Sequence, residues 1–131
     1  MTAKQRILVI DDSPLVVEAI RDGLESEAVE VEGVIDLTAL DQSQGLDRFD
    51  LILIDVQMPA MFGDDVAMVI RQGRTVSTPI VLLSSLPEAE LAERASEAGA
   101  DGYISKRRGV DAVVAEIQSW LAGTKQRPQG K

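Results

Sequence analysis

Leu51-Ile52-Leu53-Ile54-Asp55 places four branched apolar side chains in a row and closes them with a carboxylate. Such a run has no polar residue to offer a solvent face, so it reads as a strand buried on both sides. The same form recurs in both directions. Upstream, Ile7-Leu8-Val9-Ile10 runs into Asp11 and Asp12. Downstream, Pro79-Ile80-Val81-Leu82-Leu83 runs into Ser84 and Ser85. Strands of this kind belong in a parallel sheet with helices on both faces.

The segments between these runs supply the helices. Ser13-Pro14 is a helix start, with Val16, Ile20 and Leu24 following at helical spacing. Val29 to Ile35 alternates weakly and reads as a second strand, and residues 37–46 as a short helix. Met58-Pro59 and Gly63 break the chain before a helix through Val66, Val69 and Ile70. Pro87 opens an Ala- and Glu-rich helix that stops near Gly99, and Tyr103-Ile104 is a short strand. Val110, Val113, Val114, Ile117 and Leu121 form one face of a last helix. Strand and helix thus alternate five times, an α/β domain over residues 1–123. Residues 124–131 are polar, contain Pro128 and Gly130, and read as a flexible tail or the start of a linker.

Composition narrows the chemistry. The 131 residues fit one domain. With 13 basic and 22 acidic residues the net charge is −9, which disfavours contact with a nucleic-acid backbone. The chain has no cysteine and no histidine. Thiolate nucleophiles, Ser-His-Asp hydrolysis and His- or Cys-ligated metals are therefore excluded, and hard-cation carboxylate chemistry is left. The apolar run near the start, Ile7 to Ile10, is too short for a signal peptide or a membrane span. The expected compartment is the cytoplasm, with no membrane partner.

In an open parallel sheet, ligands bind beyond the C-terminal strand ends. Asp11 and Asp12 follow the first strand, Asp55 the third, Ser84 the fourth and Lys106 the fifth. Singly, each aspartate is an ordinary turn former or cap and the lysine a solvated charge. Together they make a chemical set. Converging carboxylates repel one another and call for a cation; oxygen ligands suit Mg²⁺. A carboxylate can attack phosphorus, while a cation and a lysine neutralise the transferring oxygens and a hydroxyl donates to one of them.

These residues lie in segments that resemble the response-regulator receiver domain of two-component signalling, over about residues 5–122. The matching segments are Ile7 to Asp12, Leu53 to Pro59, Val81 to Ser85, and Gly99-Ala100-Asp101-Gly102-Tyr103-Ile104-Ser105-Lys106. The resemblance implies a single doubly wound, flavodoxin-like (βα)5 domain with a parallel five-stranded sheet of order 2-1-3-4-5. It implies that Asp55 accepts a phosphoryl group from a phosphohistidine on a histidine kinase or histidine phosphotransfer protein. Asp11, Asp12 and Asp55 would hold Mg²⁺, with Asp12 the more direct ligand of the first two and the Gln57 backbone carbonyl a further one. Ser84 and Lys106 would bind the phosphoryl oxygens, and Tyr103 would change rotamer with Ser84 on activation. The output would be a downstream protein or a second copy, met by the face of the fourth helix, fifth strand and fifth helix.

One residue departs from the family pattern. Arg107 stands where a proline, joined through a cis peptide, usually follows the lysine. A cis bond before a non-proline costs about 2.5–4 kcal/mol, which points to a trans bond and leaves the placement of Lys106 open. Arg107 and Arg108 read either as a solvated rim or as groups with a role toward phosphate or a partner. Trp120, off the main apolar face of its helix, reads as a partner contact or as packing on the sheet edge. Two other functions compete with the phosphoacceptor. A pseudo-receiver, binding partners without phosphorylation, is favoured by Arg107 alone. An aspartyl-phosphate phosphohydrolase needs an acid two residues after the nucleophile, where Gln57 cannot serve. The expected role is a switch and not an enzyme.

Overall fold

A computed structural model describes residues 5–11, 13–24, 29–34, 49–56 and 78–126. The elements are β1 (Gln5–Ile10), α1 (Pro14–Leu24), β2 (Val29–Val34), β3 (Leu51–Asp55), β4 (Ile80–Ser84), α2 (Glu88–Ala98), β5 (Gly102–Ser105), a 3-10 turn (Lys106–Arg108) and α3 (Val110–Gln126). The helices expected at 37–46 and around 66–70 lie outside the described residues. The two helices that the alternation places fourth and fifth are α2 and α3. The backbone of α3 stays helical to Gln126, past residue 124 where the tail was expected to begin.

The sheet is five-stranded, in the order β2-β1-β3-β4-β5, and each neighbouring pair is parallel. Every residue of β3 and β4 is buried, as the uninterrupted apolar runs require. Alternate residues of one strand feed opposite layers. Leu8, Ile10, Ile52, Ile54, Ile80 and Leu82 pack on one side with Leu91, Ala95 and Ala98 of α2. Ile7, Val9, Leu51, Leu53, Val81 and Leu83 pack on the other with Val17, Ile20 and Leu24 of α1 and Val113, Val114, Ile117 and Leu121 of α3. The sheet is thus covered on both faces.

Trp120 is half-buried against the second layer. Its ring lies on Gly102 of β5, where a Cβ would overlap the indole. Packing on the edge of the sheet is the outcome for this residue. At the opposite end of the sheet from the conspicuous carboxylates, two more aspartates serve the backbone. Asp50 accepts from the Arg6 N–H at 2.8 Å and Asp101 from the Ile80 N–H at 2.8 Å, so each caps the start of a neighbouring strand.

Candidate functional site

Register brings the strand ends together. Ile10 pairs with Ile54, so the next residues, Asp11 and Asp55, emerge side by side. Ser84 pairs with Ser105, which sets Lys106 one step beyond. The backbone after Asp55 stays tied to β4, because Val56 donates its N–H to the Leu83 carbonyl at 3.1 Å.

Asp11 is wholly buried. Its Oδ1 accepts the Ser13 N–H at 2.8 Å, at the start of α1, and its Oδ2 accepts from Lys106 Nζ at 3.0 Å. The same Nζ lies 3.6 Å from Asp55 Oδ2. One ammonium therefore bridges two carboxylates whose side chains are 0% and 5% exposed, while the lysine itself keeps 22% of its side-chain surface. Two buried negative charges against one positive leave the cluster formally anionic, and a buried anion is costly without further compensation. Ser84 is buried beside it, and its Oγ accepts the Leu86 N–H at 3.0 Å.

The segment that carries Lys106 is organised without proline. Among the described residues no peptide bond is cis, so Arg107 follows Lys106 through a trans bond. Arg107 therefore has a backbone N–H, which a proline lacks, and the Ser105 hydroxyl accepts it at 3.1 Å. The Gly109 N–H closes the turn on the Lys106 carbonyl at 3.2 Å. Gly109 sits at φ 93°, a conformation that a side chain would strain. Both arginines are engaged. Arg107 Nε donates to the Ser85 carbonyl at 2.7 Å, and Arg108 Nη2 donates to both Glu88 oxygens at 3.1 Å. Beside the site, a cleft of about 300 Å³ runs between α1 and α3, with Leu15, Val110 and Lys106 among its lining residues.

The family model of the response regulator receiver domain matches residues 7–118. The chain belongs to the response regulator receiver family. Among relatives of this receiver domain, the DNA-binding response regulator MtrA of Mycolicibacterium smegmatis is 34% identical over 131 residues, 97% of this chain and 55% of that protein. The response regulator protein PmrA of Pseudomonas aeruginosa is 31% identical over 114 residues, 87% of this chain and 51% of that protein. The chain spans about half the length of the curated relatives it matches. The crystal structure of the chemotaxis protein CheY4 of Vibrio cholerae superposes with a TM-score of 0.75 at 27% identity, covering 89% of this chain and 98% of that one. The sheet order expected from the resemblance is the one observed.

Of the residues singled out in the sequence, the receiver fold brings Asp11, Asp55, Ser84 and Lys106 to the C-terminal ends of the strands, at one end of the sheet. Asp12 and Gln57 lie outside the described residues. Among the described residues no three acidic side chains form a metal-binding group; Asp11 and Asp55 are the two carboxylates on Lys106. Tyr103 lies on β5, half-buried against the layer that contains α2. The reach of Arg107 to the β4–α2 connection and of Arg108 to the first residue of α2 was not read from the sequence. No local pattern encodes it, since the partners are 20 and 22 residues away.

Proposed function

We propose that this receiver domain accepts a phosphoryl group on Asp55 and passes the event on as a change in partner binding. The observation that carries the reading is the Lys106 ammonium held between Asp11 and Asp55 at 3.0 and 3.6 Å, with the Ser84 hydroxyl at the end of the adjoining strand. The donor is a phosphohistidine on a histidine kinase or histidine phosphotransfer protein, because the chain has no histidine. An Asp55 carboxylate oxygen attacks phosphorus, the P–N bond breaks, and its electron pair returns to the donor imidazole. An acyl phosphate is left on Asp55. Lys106 neutralises phosphoryl oxygens, and Ser84 donates its hydroxyl to another.

The net anionic cluster, in which the candidate ligand atoms are all oxygens, suits Mg²⁺, which Asp11, Asp12, Asp55 and the Gln57 carbonyl would hold. When bound, the ion supplies charge neutralisation for the incoming phosphoryl oxygens. Ser84 turning toward the phosphoryl group vacates space beside β4, and Tyr103 moves inward to fill it. The face of α2, β5 and α3, including Ala89, Glu93 and Tyr103, then presents a different surface to a downstream protein or a second copy. The gain in affinity is bounded by that partner's preference for one of the two states.

The pseudo-receiver reading rested on Arg107. With Arg107 in place and the peptide trans, Lys106 still reaches both carboxylates, which supports the phosphoacceptor. The acidic balance argues against direct nucleic-acid contact by these residues. DNA binding is named for MtrA, of which this chain covers 55%. No helix among the described residues is long and apolar enough to cross a membrane.

The test is phosphorylation by a small-molecule phosphodonor with Mg²⁺, read by intact mass. The wild type gains one phosphoryl group and Asp55→Asn gains none. Full labelling of that variant, mapped to another residue, refutes the assignment.

A further inference from the structure

The three consecutive basic side chains of the 3-10 turn leave it toward three different segments. Lys106 goes to the two carboxylates, Arg107 to the Ser85 carbonyl and Arg108 to Glu88, the first residue of α2. The Arg107 contact falls at a sensitive point. The Ser85 carbonyl and the Leu86 N–H belong to one peptide plane. Its carbonyl is held by Arg107 Nε at 2.7 Å and its N–H by Ser84 Oγ at 3.0 Å. A peptide plane is rigid, so its two ends turn together. Leu86 N–H cannot swing away from Ser84 unless the Ser85 carbonyl swings away from Arg107. A Ser84 hydroxyl that turns by its own side-chain rotation gives up the Leu86 N–H instead, and losing that bond has its own cost.

We infer that Arg107 is a positioning residue that holds the Ser84–Leu86 segment in its resting arrangement and so restrains Ser84 from turning to a phosphoryl group on Asp55. The inference rests on the phosphoacceptor reading. The bond is short and charge-assisted, the stronger sort of hydrogen bond. Arg107 and Ser85 are exposed, as is the Arg108–Glu88 pair with side chains 59% and 48% exposed, so solvent weakens both ties; only the Arg107 bond acts on the peptide that Ser84 holds.

The sign of one substitution separates this role from simple electrostatics. Arg107→Ala removes a positive charge near an anion site, which by itself weakens anion binding. Release of the restraint strengthens it. The intact chain is titrated with beryllofluoride, a phosphoryl mimic, in the presence of Mg²⁺, and followed by NMR. Arg107→Ala is expected to lower the midpoint about threefold to tenfold, the net worth of an ordinary hydrogen bond, since exposure to solvent offsets the charge assistance of this one. In the ligand-free protein the Leu86 amide is expected to exchange its hydrogen at least about threefold faster. A midpoint unchanged or raised in Arg107→Ala, or an unaltered Leu86 exchange rate, overturns the inference while the phosphoacceptor reading stands. A wild type that ignores beryllofluoride, or that binds it as well with Asp55→Asn, overturns the phosphoacceptor reading and this inference with it.

Discussion

Lys106→Ala tests whether the lysine is a structural counter-charge as well as a group poised for phosphate. Seen alone in the sequence, a lysine after a strand is a solvated charge whose removal costs little. In the fold its Nζ stands 3.0 Å from a fully buried carboxylate and 3.6 Å from another that is 5% exposed. At an effective dielectric of about 20, each contact is worth about 5 kcal/mol before costs. Desolvation and side-chain ordering cancel much of this. What remains is the penalty of leaving two carboxylates together without their cation. Breaking a buried pair typically costs about 3–5 kcal/mol. Lys106 keeps contact with water, so about 2–3 kcal/mol is expected here, or a fall in Tm on the order of 10 °C for a domain of this size. Asp55→Asn removes one of two like charges and is expected to be neutral or stabilising by up to about 1 kcal/mol. The double variant should lose less than the two single changes predict, because they share one cluster. Urea unfolding at neutral pH, followed by far-UV circular dichroism, measures all three. A loss below about 0.5 kcal/mol in Lys106→Ala would refute the counter-charge argument.

Further outcomes concern the metal, the switch and the edge of the sheet. Mg²⁺ should shift NMR resonances at positions 11, 12 and 55; a titration that moves none of them removes the metal from the proposal. With beryllofluoride bound, Ser84→Ala should keep Tyr103 in its resting rotamer and bind partners as the unmodified protein does. If Tyr103 holds one rotamer in both states of the wild type and Ser84→Ala signals normally, the coupling is wrong although Asp55 remains the acceptor. Gly102→Ala should cost about 1–3 kcal/mol by overpacking and change the emission of Trp120, the only tryptophan, whose ring occupies that space. An Ala variant as stable as the wild type would show that the indole has room to move aside.

The central strands were legible because burial on both faces removes every polar residue from a run, as at 51–54 and 80–83. The edge strand β2 was fainter because it is covered less completely: Glu30, Glu32 and Gly33 are exposed, and Val29 and Val31 are only half-buried. Asp11, Asp55, Ser84 and Lys106 could be placed together because each ends a strand or directly follows one, and parallel register converts that one-dimensional position into proximity. Three features had no such code. Trp120 on Gly102, Arg107 on Ser85 and Arg108 on Glu88 join segments whose approach depends on how the last strand, turn and helix are laid against the sheet. Asp50 and Asp101 carry the same residue type as Asp11 and Asp55, yet cap strand starts at the far end. Residue type alone could not sort these roles; position relative to the strand did.

The alternation of the two apolar layers constrains how such a chain can change over generations. Leu51 and Leu53 belong to one layer and Ile52 and Ile54 to the other, with Asp55 the next residue in the count. A substitution among these residues alters packing at one place and leaves that count intact. Deleting or inserting a single residue between them would hand every apolar side chain on one side of the change to the wrong helix layer, or turn the carboxylate away from Asp11 and Lys106. Length variation can therefore accumulate in connections at the sheet surface, but the interval from the core to Asp55 is closed to it. Asp55 is kept in place by arithmetic parity, and a frame of this kind tolerates misspelling far better than miscounting.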